Sequence, residues 1–215
     1  GAGHARGGRI MTARPAGSPC PDAARAAGGE GAPGRRVFFA LWPDAEAVET
    51  LSGWARQAHA AFGGRIMRPE TLHLTLAFLG TVPLDRIADL TALLEEARPI
   101  GGTLRLDRYG RFHGPKIVWA GPSATPPWLD ALHGWLWRAL ARRGFARPDE
   151  PFRPHVSLLR RAEPGELDTL PAPAPLDWTP RRCVLAASAP SPAGSFYEIL
   201  AERVLTRRNP HGSGG

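Results

Sequence analysis

One short pattern occurs twice in this chain and restricts how the chain can fold. It consists of a histidine, an apolar residue, a serine or threonine and a second apolar residue, at 73–76 and again at 155–158. In a β-strand, residues two apart point to the same side of the sheet. Each copy therefore predicts a strand that presents an imidazole and a hydroxyl together and packs its two apolar side chains behind them.

The two copies lie 82 residues apart, and a proline precedes each of them closely, at Pro69 and Pro154. This separation is typical of a molecule with two lobes of similar make-up and a groove between them. The residues predicted to face the groove are His73, Thr75, His155 and Ser157. The residues predicted to pack behind them are Leu74, Leu76, Val156 and Leu158.

Two imidazoles that face one groove suit the opening of a cyclic phosphodiester. That reaction needs a base to take a proton from the attacking water and an acid to protonate the departing ribose oxygen. Histidine, with an ordinary pKa of about 6.5, can serve either role at neutral pH. Neighbouring hydroxyls can donate hydrogen bonds to the phosphate oxygens, and Arg160, five residues after His155, can neutralise charge on them. The alternative is that each histidine is structural and binds a buried carbonyl.

Strand and helix patterns alternate through the rest of the chain. The predicted strands are 37–42, 72–79, 103–109, 116–120, 152–160, 181–188 and 195–203, with hairpins between the third and fourth and between the last two. The predicted helices are 44–62, with Asp44 as its N-cap, 84–97 and 128–143. Residues 164–180 are predicted to be a proline-rich connector. The order indicates an α+β fold of two pseudo-symmetric lobes, each an antiparallel sheet covered by helices.

The two ends of the chain differ in composition from its centre. Residues 1–34 are rich in Gly, Ala, Pro and Arg and have almost no large apolar side chains, so we predict that they are disordered, like the tail 209–215. The folded domain is predicted to cover 35–208. Much of the net charge of +7 lies in the ends, because residues 37–203 carry 19 basic and 18 acidic side chains. Affinity for RNA must then come from a local site.

Several classes of protein are disfavoured by the sequence. No apolar run approaches the roughly 20 residues that cross a membrane, and no signal-peptide core is seen. The two cysteines, Cys20 and Cys183, cannot form a disulfide framework, which favours a cytoplasmic location. No Cys-x-x-Cys or His-x-x-x-His spacing supports a metal site, and no Gly-x-x-x-x-Gly-Lys loop supports the use of ATP. We therefore expect no metal and no other cofactor.

On these motifs the chain resembles the two-histidine phosphoesterase superfamily, and within it the LigT-like (ThpR) RNA 2',3'-cyclic phosphodiesterases, also described as 2'-5' RNA ligases. The stretches that carry the resemblance are 36–43, 72–80, 104–112, 152–160 and 197–200. The resemblance implies His73 as proton donor to the leaving 3' oxygen and His155 as base for water. It also implies that Thr75, Ser157 and Arg160 bind the phosphate, with serine standing at 157 where threonine is usual.

Three interpretations remain open from the sequence. The first is a cyclic phosphodiesterase that acts, as a monomer, on RNA ends or nucleotides with a 2',3'-cyclic phosphate. The second is a protein that binds or joins RNA ends and hydrolyses them only incidentally, and the third is a domain with structural histidines. Outside the motifs, His59 and His133 are predicted to be partly exposed on helices, and His113 to lie in a loop beside the cleft. The aromatic residues considered for stacking on a base are Phe39, Trp42 and Phe78.

Overall fold

The structure, a computed structural model, describes residues 33–192 and 194–207. The segments predicted to be disordered, 1–34 and 209–215, lie outside the described residues except for Pro33 and Gly34. The helices of the described chain are α1 (Ala45–Phe62), α2 (Leu84–Glu96) and α3 (Pro127–Ala141). Its strands are β1 (Gly34–Leu41), β2 (Arg65–Ile66), β3 (Leu74–Pro83), β4 (Ile100–Gly101), β5 (Leu104–Leu106), β6 (Arg108–Phe112), β7 (Ile117–Gly121), β8 (Val156–Arg160), β9 (Leu176–Trp178), β10 (Arg182–Ser191), β11 (Gly194–Val204) and β12 (Thr206–Arg207).

The main sheet contains eight of these strands and is antiparallel throughout. Seven of them follow the order β11-β10-β1-β3-β8-β7-β6, and β2 pairs with β8 on the side where β3 also lies. Two small pairs, β4 with β12 and β5 with β9, lie outside it. The fold is therefore mixed α and β, with an antiparallel main sheet and few helices, in agreement with the predicted α+β class.

The two halves of the main sheet meet at its centre through one pair of residues. Leu74 of β3 lies opposite Val156 of β8, and this is the pairing between those two strands. Both side chains are fully buried in the main core. On one side of this junction lie β3, β1, β10 and β11, and on the other lie β8, β7 and β6. The two predicted motif strands are thus neighbours at the middle of the sheet.

The helices pack on the sheet as the pattern of apolar residues requires. Helix α2 contacts β3, β10 and β11 in one half of the sheet, and α1 contacts β7 and β8 in the other. The predicted N-cap of α1 is confirmed, because the Asp44 carboxylate accepts a hydrogen bond of 3.0 Å from the backbone N–H of Ala47. The helix ends where Gly63 takes a φ of 58°, a left-handed conformation that glycine adopts without strain.

Several predicted strand boundaries were wrong. The predicted strand 103–109 is two strands with different partners, because 104–106 pairs with β9 whereas β6, which begins at Arg108, pairs with β7. The connector 164–180 contains β9, in which Leu176 and Trp178 are buried around an exposed Asp177. That three-residue alternation is too short to stand out among prolines. The strands at 72 and 152 begin two and four residues later than predicted, at 74 and 156.

Strand β3 also continues past the glycine that was predicted to end it. Gly80 has a φ of 69°, and the register with β1 shifts there, because Val37 pairs with Gly80 while Phe38 pairs with Phe78. This is a β-bulge, in which one extra residue is accommodated and pairing resumes. No helix in residues 33–192 and 194–207 is both long and apolar enough to cross a membrane.

The hairpin of β6 and β7 depends on a glycine beneath a tryptophan. Gly110 pairs with Trp119, and a Cβ atom at Gly110 would lie 2.0 Å from the Trp119 ring. We expect Gly110→Ala to displace that ring and to lower the free energy of unfolding by about 1–3 kcal/mol, the usual cost of overpacking. Gly114→Ala is the control, because nothing lies within 4 Å of its Cβ position. Thermal unfolding of the two variants checks this, and equal melting temperatures would contradict it.

Candidate active site

The two motifs alternate between buried and accessible side chains. The apolar residues Leu74, Leu76, Val156 and Leu158 are buried in the main core. The polar residues His73, Thr75, His155 and Ser157 are half-buried and point to the other side of the sheet. The structure thus places all four predicted polar groups on one face of the sheet, at its centre.

The pairing of Leu74 with Val156 decides which of these groups are neighbours. Continuing the antiparallel register by one residue sets Thr75 beside His155 and Ser157 beside His73. Residues opposite each other in such a pair have Cβ atoms about 4.5–5.5 Å apart, and diagonal neighbours are roughly 7–8 Å apart. The two histidines are therefore diagonal neighbours across β3 and β8.

Each histidine lies one residue before its strand begins and binds the backbone in the same way. His73 Nδ1 is 2.7 Å from the carbonyl oxygen of Thr71, and His155 Nδ1 is 2.7 Å from that of Arg153. A carbonyl oxygen can only accept, so Nδ1 donates in both rings and carries the proton. In the neutral form of each ring, Nε2 is therefore the nitrogen that carries the lone pair.

Both motif histidines have lowered pKa values in the free protein. The pKa of His73 is lowered to about 4, mainly by burial. The hydrogen bond to the Thr71 carbonyl raises this pKa, and charge on His155 lowers it. Burial also lowers the pKa of His155, opposed by the Arg153 carbonyl and assisted by the Arg153 charge. Both rings are consequently neutral near pH 7 in the free protein, and an anion bound between them would raise both pKa values.

Aromatic side chains enclose the His73 ring. Trp42 stacks on it with ring centres 5.2 Å apart, Tyr197 meets it edge-on at 5.2 Å, and Phe38 lies at 4.9 Å. One face of the Trp42 ring covers the histidine, and the stacking of Trp42 on a base stays a prediction. Phe39, another residue considered, is fully buried in the main core, and that prediction was wrong because β1 turns Phe39 away from the site.

The His155 ring lies in a second aromatic cluster. Phe112 meets it edge-on at 4.9 Å, and Trp119 lies at 5.9 Å. Both residues belong to a small buried group with Ile117, on the site face of the β6–β7 hairpin. Each catalytic candidate is therefore held between its own carbonyl contact and its own set of aromatic rings.

Arg160 lies at the end of β8, on the side of the site where His73 is found. Its Nε atom is 3.3 Å from the sulfur of Met67, and its side chain lines a small cavity of about 40 Å³. Arg65, Arg68 and Tyr197 line the same cavity. The sequence analysis did not single out these three residues. Arg68 lies close to the first motif, and Tyr197 lies in the stretch 197–200 that carries the family resemblance.

A larger cavity of about 180 Å³ opens on the other side, and Thr75 and His155 form part of its wall. His133 also lines it, and the prediction that this residue is partly exposed was wrong. It is 7% exposed because it stacks on Phe152 with ring centres 3.8 Å apart. His59 is exposed on α1 as predicted, and His113 is exposed in the β6–β7 turn.

Binding of a metal ion would require several ligating side chains in one place. Within the described ranges, no three histidine, cysteine, aspartate or glutamate side chains lie close enough together to hold an ion. Cys183 is buried in β10 and unpaired, and burial raises the pKa of its thiol to about 12.

A pair of histidines and hydroxyls on adjacent central strands is the arrangement of a two-histidine phosphoesterase. A model of the 2'-5' RNA ligase superfamily matches residues 40–188. The chain therefore belongs to the 2'-5' RNA ligase superfamily.

Relatives and solved structures agree with this assignment. An Escherichia coli K12 protein named RNA 2',3'-cyclic phosphodiesterase is 36% identical over 145 residues, which are 67% of this chain and 81% of that protein. A Thermus thermophilus protein of the same name is 29% identical over 186 residues, 82% of this chain and 92% of that protein. The crystal structure of E. coli LigT complexed with 3'-AMP matches with a TM-score of 0.71 and 32% identity, over 81% of this chain and 99% of the other.

Histidine titration tests the electrostatics of the site. We expect His73 to titrate near pH 4 in the free protein, and His155 to titrate below 6.5. Inorganic phosphate should raise both pKa values, because an anion stabilises the charged imidazoles. The ring signals of His59, which is exposed on α1, serve as the control for binding of phosphate away from the site. Histidine-selective NMR with and without phosphate measures this, and motif pKa values that phosphate leaves unchanged would contradict an anion site here.

Proposed function

We propose that this protein is an RNA 2',3'-cyclic phosphodiesterase that opens cyclic phosphate ends to 2'-phosphomonoesters. The observation that carries the proposal is the pairing of Leu74 with Val156, which brings two similarly held histidines to one face of the sheet. The names of the E. coli and T. thermophilus relatives support the same activity. The proposed substrates are RNA ends or nucleotides with a 2',3'-cyclic phosphate.

In the proposed mechanism the two rings act on opposite sides of the phosphorus. His155 takes a proton from water through Nε2 as the water oxygen bonds to phosphorus. The bond from phosphorus to the 3' oxygen breaks, and His73 protonates that oxygen through its own Nε2. The products are a free 3' hydroxyl and a phosphate on the 2' oxygen. These roles follow the family resemblance, and the equivalent Nδ1 contacts of the two rings support them.

The phosphate is proposed to be held by groups that flank the rings. Thr75 and Ser157 donate hydrogen bonds from their hydroxyls to the non-bridging oxygens, and Arg160 neutralises charge on them. In the register of β3 and β8, each hydroxyl lies beside the histidine of the other motif. The bound phosphate is thus proposed to receive hydrogen bonds from both strands.

The substrate itself supplies the protonation state that the mechanism needs. His73 must be charged to act as an acid, yet its pKa is lowered to about 4 in the free protein. The anionic cyclic phosphate offsets burial and repulsion from His155, and so favours one proton on the pair. A second proton would be repelled by the first, which leaves the other ring neutral as the base.

The proposal extends to the organisation of the chain. We propose that residues 35–208 form one two-histidine phosphoesterase domain whose two half-sheets are pseudo-symmetric lobes around a central cleft. The matching alternation of both motifs and their single point of pairing support this. We further propose that the reaction needs no metal or other cofactor, since acid and base are both supplied by histidine. We also propose that the protein acts as a monomer in the cytoplasm.

A second candidate function is the joining of RNA ends through a 2'-5' bond, and the description of the matching family favours it. The same pair of rings can catalyse it, because replacing water by a 5' hydroxyl changes only the nucleophile. Incubation with a nucleoside 2',3'-cyclic phosphate, with and without an RNA 5' hydroxyl acceptor, separates the two. Rapid turnover without acceptor favours hydrolysis, and turnover that requires the acceptor favours joining.

Replacing either motif histidine should abolish most of the activity. His73→Ala and His155→Ala should each lower kcat by about 10²–10⁴, the usual contribution of a positioned acid or base. The double variant should lose less than the product of the single losses, because the two rings act in one step. The assay is turnover of a nucleoside 2',3'-cyclic phosphate in the presence of EDTA, which should leave the wild-type rate unchanged.

The control for this experiment is His59→Ala, which removes an exposed histidine from α1. Circular dichroism should show that all variants are folded. Thr75→Ala and Ser157→Ala should be milder, since each removes one hydrogen bond to the phosphate. Near-normal turnover by either histidine variant, or loss of the wild-type rate on chelation, would rule out the proposed mechanism.

The position of the phosphate in the product tests the assignment of acid and base. If His73 protonates the 3' oxygen, the product should be the 2' phosphate. Phosphorus NMR, or chromatography against authentic 2' and 3' monophosphates, identifies the product. A dominant 3' phosphate would mean that the two histidines have exchanged roles or that the substrate is bound in the opposite orientation.

A further inference from the structure

A cavity lies beside His155. It shares Thr75 and His155 with the proposed active site, and its other wall residues have no role in the proposed chemistry. It has a volume of about 180 Å³ and continues from Thr75 and His155 away from the phosphate site. Rings dominate its wall, which includes Phe78, Phe112 and Phe152. The cavity begins at His155 and has aromatic walls. It can therefore hold the part of a nucleotide substrate that is attached to the cyclic phosphate.

The size and chemistry of the cavity restrict what it can hold. Its volume is below the roughly 300–1,000 Å³ of sites for drug-sized ligands, so it suits a single ring system rather than several nucleotides. Aromatic walls favour a flat, apolar face, as in the stacking of unpaired bases on protein side chains. Arg147, Glu150 and Arg153 also belong to its wall and supply polar groups for the edge of such a ring.

His133 is a second imidazole in this wall besides His155, and its ring can carry both a hydrogen-bond donor and an acceptor. Phe152 covers one face of its imidazole at 3.8 Å and an interplanar angle of 7°, and the ring also forms part of the cavity wall. Burial, together with the charge of Arg147, lowers its pKa to about 4. The neutral ring therefore offers one N–H and one lone pair at pH 7.

We propose that this cavity is the nucleobase subsite of the enzyme and that His133 binds the edge of the base attached to the cyclic phosphate. The inference rests on the proposed function and adds to it a residue that determines substrate preference. Helix α3 supplies His133, whereas the reacting groups come from β3 and β8, so base recognition and chemistry are carried by different elements. Changes at His133 should alter KM for nucleotides and leave the chemical step intact.

The first test uses the wild-type protein and needs no turnover. Adenosine and cytidine, which have no phosphate, should shift the ring signals of His133 in histidine-selective NMR spectra in a saturable way. Inorganic phosphate should shift those of His73 and His155 instead. If neither nucleoside shifts the His133 signals at millimolar concentration, the subsite is not where we place it.

The second test compares substrates with and without a base. His133→Phe keeps a ring against Phe152 but removes both nitrogens. It should raise KM for adenosine or cytidine 2',3'-cyclic phosphate by roughly tenfold, the equivalent of one or two hydrogen bonds, with kcat little changed. For 1-O-methylribose 2',3'-cyclic phosphate, which has no base, its KM and kcat should equal those of the wild type.

The controls separate this proposal from the proposed function. His113→Phe is the matched variant, since it makes the same substitution at an exposed site and should behave as wild type with every substrate. Thermal unfolding shows whether His133→Phe is folded, and the nucleoside titration stands if it is not. Equal losses on substrates with and without a base would overturn the subsite. Failure of the wild type to hydrolyse any cyclic phosphate would overturn the proposed function, while the nucleoside titration would still decide the subsite.

Discussion

The pairing of Leu74 with Val156 is the contact on which the arrangement of the site depends. It is the point where β3 meets β8, and both side chains are buried in the main core. Because neighbouring residues in a strand point to opposite faces, burying this apolar pair necessarily turns the histidines and hydroxyls to the other face. A shift of one residue in the register would put the polar groups into the core, so hydrophobic burial also maintains the geometry of the proposed active site.

The site combines rigid placement with adjustable charge. Carbonyl contacts at Thr71 and Arg153 orient the two imidazoles, and aromatic rings on β1, β6 and β7 enclose them. The same enclosure removes water and lowers both pKa values, so the free site is uncharged at its centre. A bound phosphate reverses this effect. In the proposed mechanism binding and activation are therefore coupled, since the anion to be cleaved also charges the acid that protonates the leaving oxygen.

Much of the local structure could be predicted because it depends on short-range patterns. The N-cap at Asp44 and the alternating burial of both motifs follow from neighbouring residues alone. The errors lie where a distant segment decides. Residues 104–106 pair with 176–178 rather than continuing into β6, and His133 is buried because Phe152, from a separate segment, stacks on it. Neither partner can be identified from the spacing of residues within one element.

The sequence by itself determined that two strands would each present an imidazole and a hydroxyl, because the two-residue period of a strand is a property of the local backbone. Only the tertiary structure decided that these strands are neighbours, in a register that sets each hydroxyl beside the other motif's histidine. It alone also placed Arg68 and Tyr197 with Arg160 on one side of the site and His133 with Phe152 on the other. Strand pairing and packing join segments far apart in the chain, so these contacts are set by burial of the whole core rather than by any local pattern.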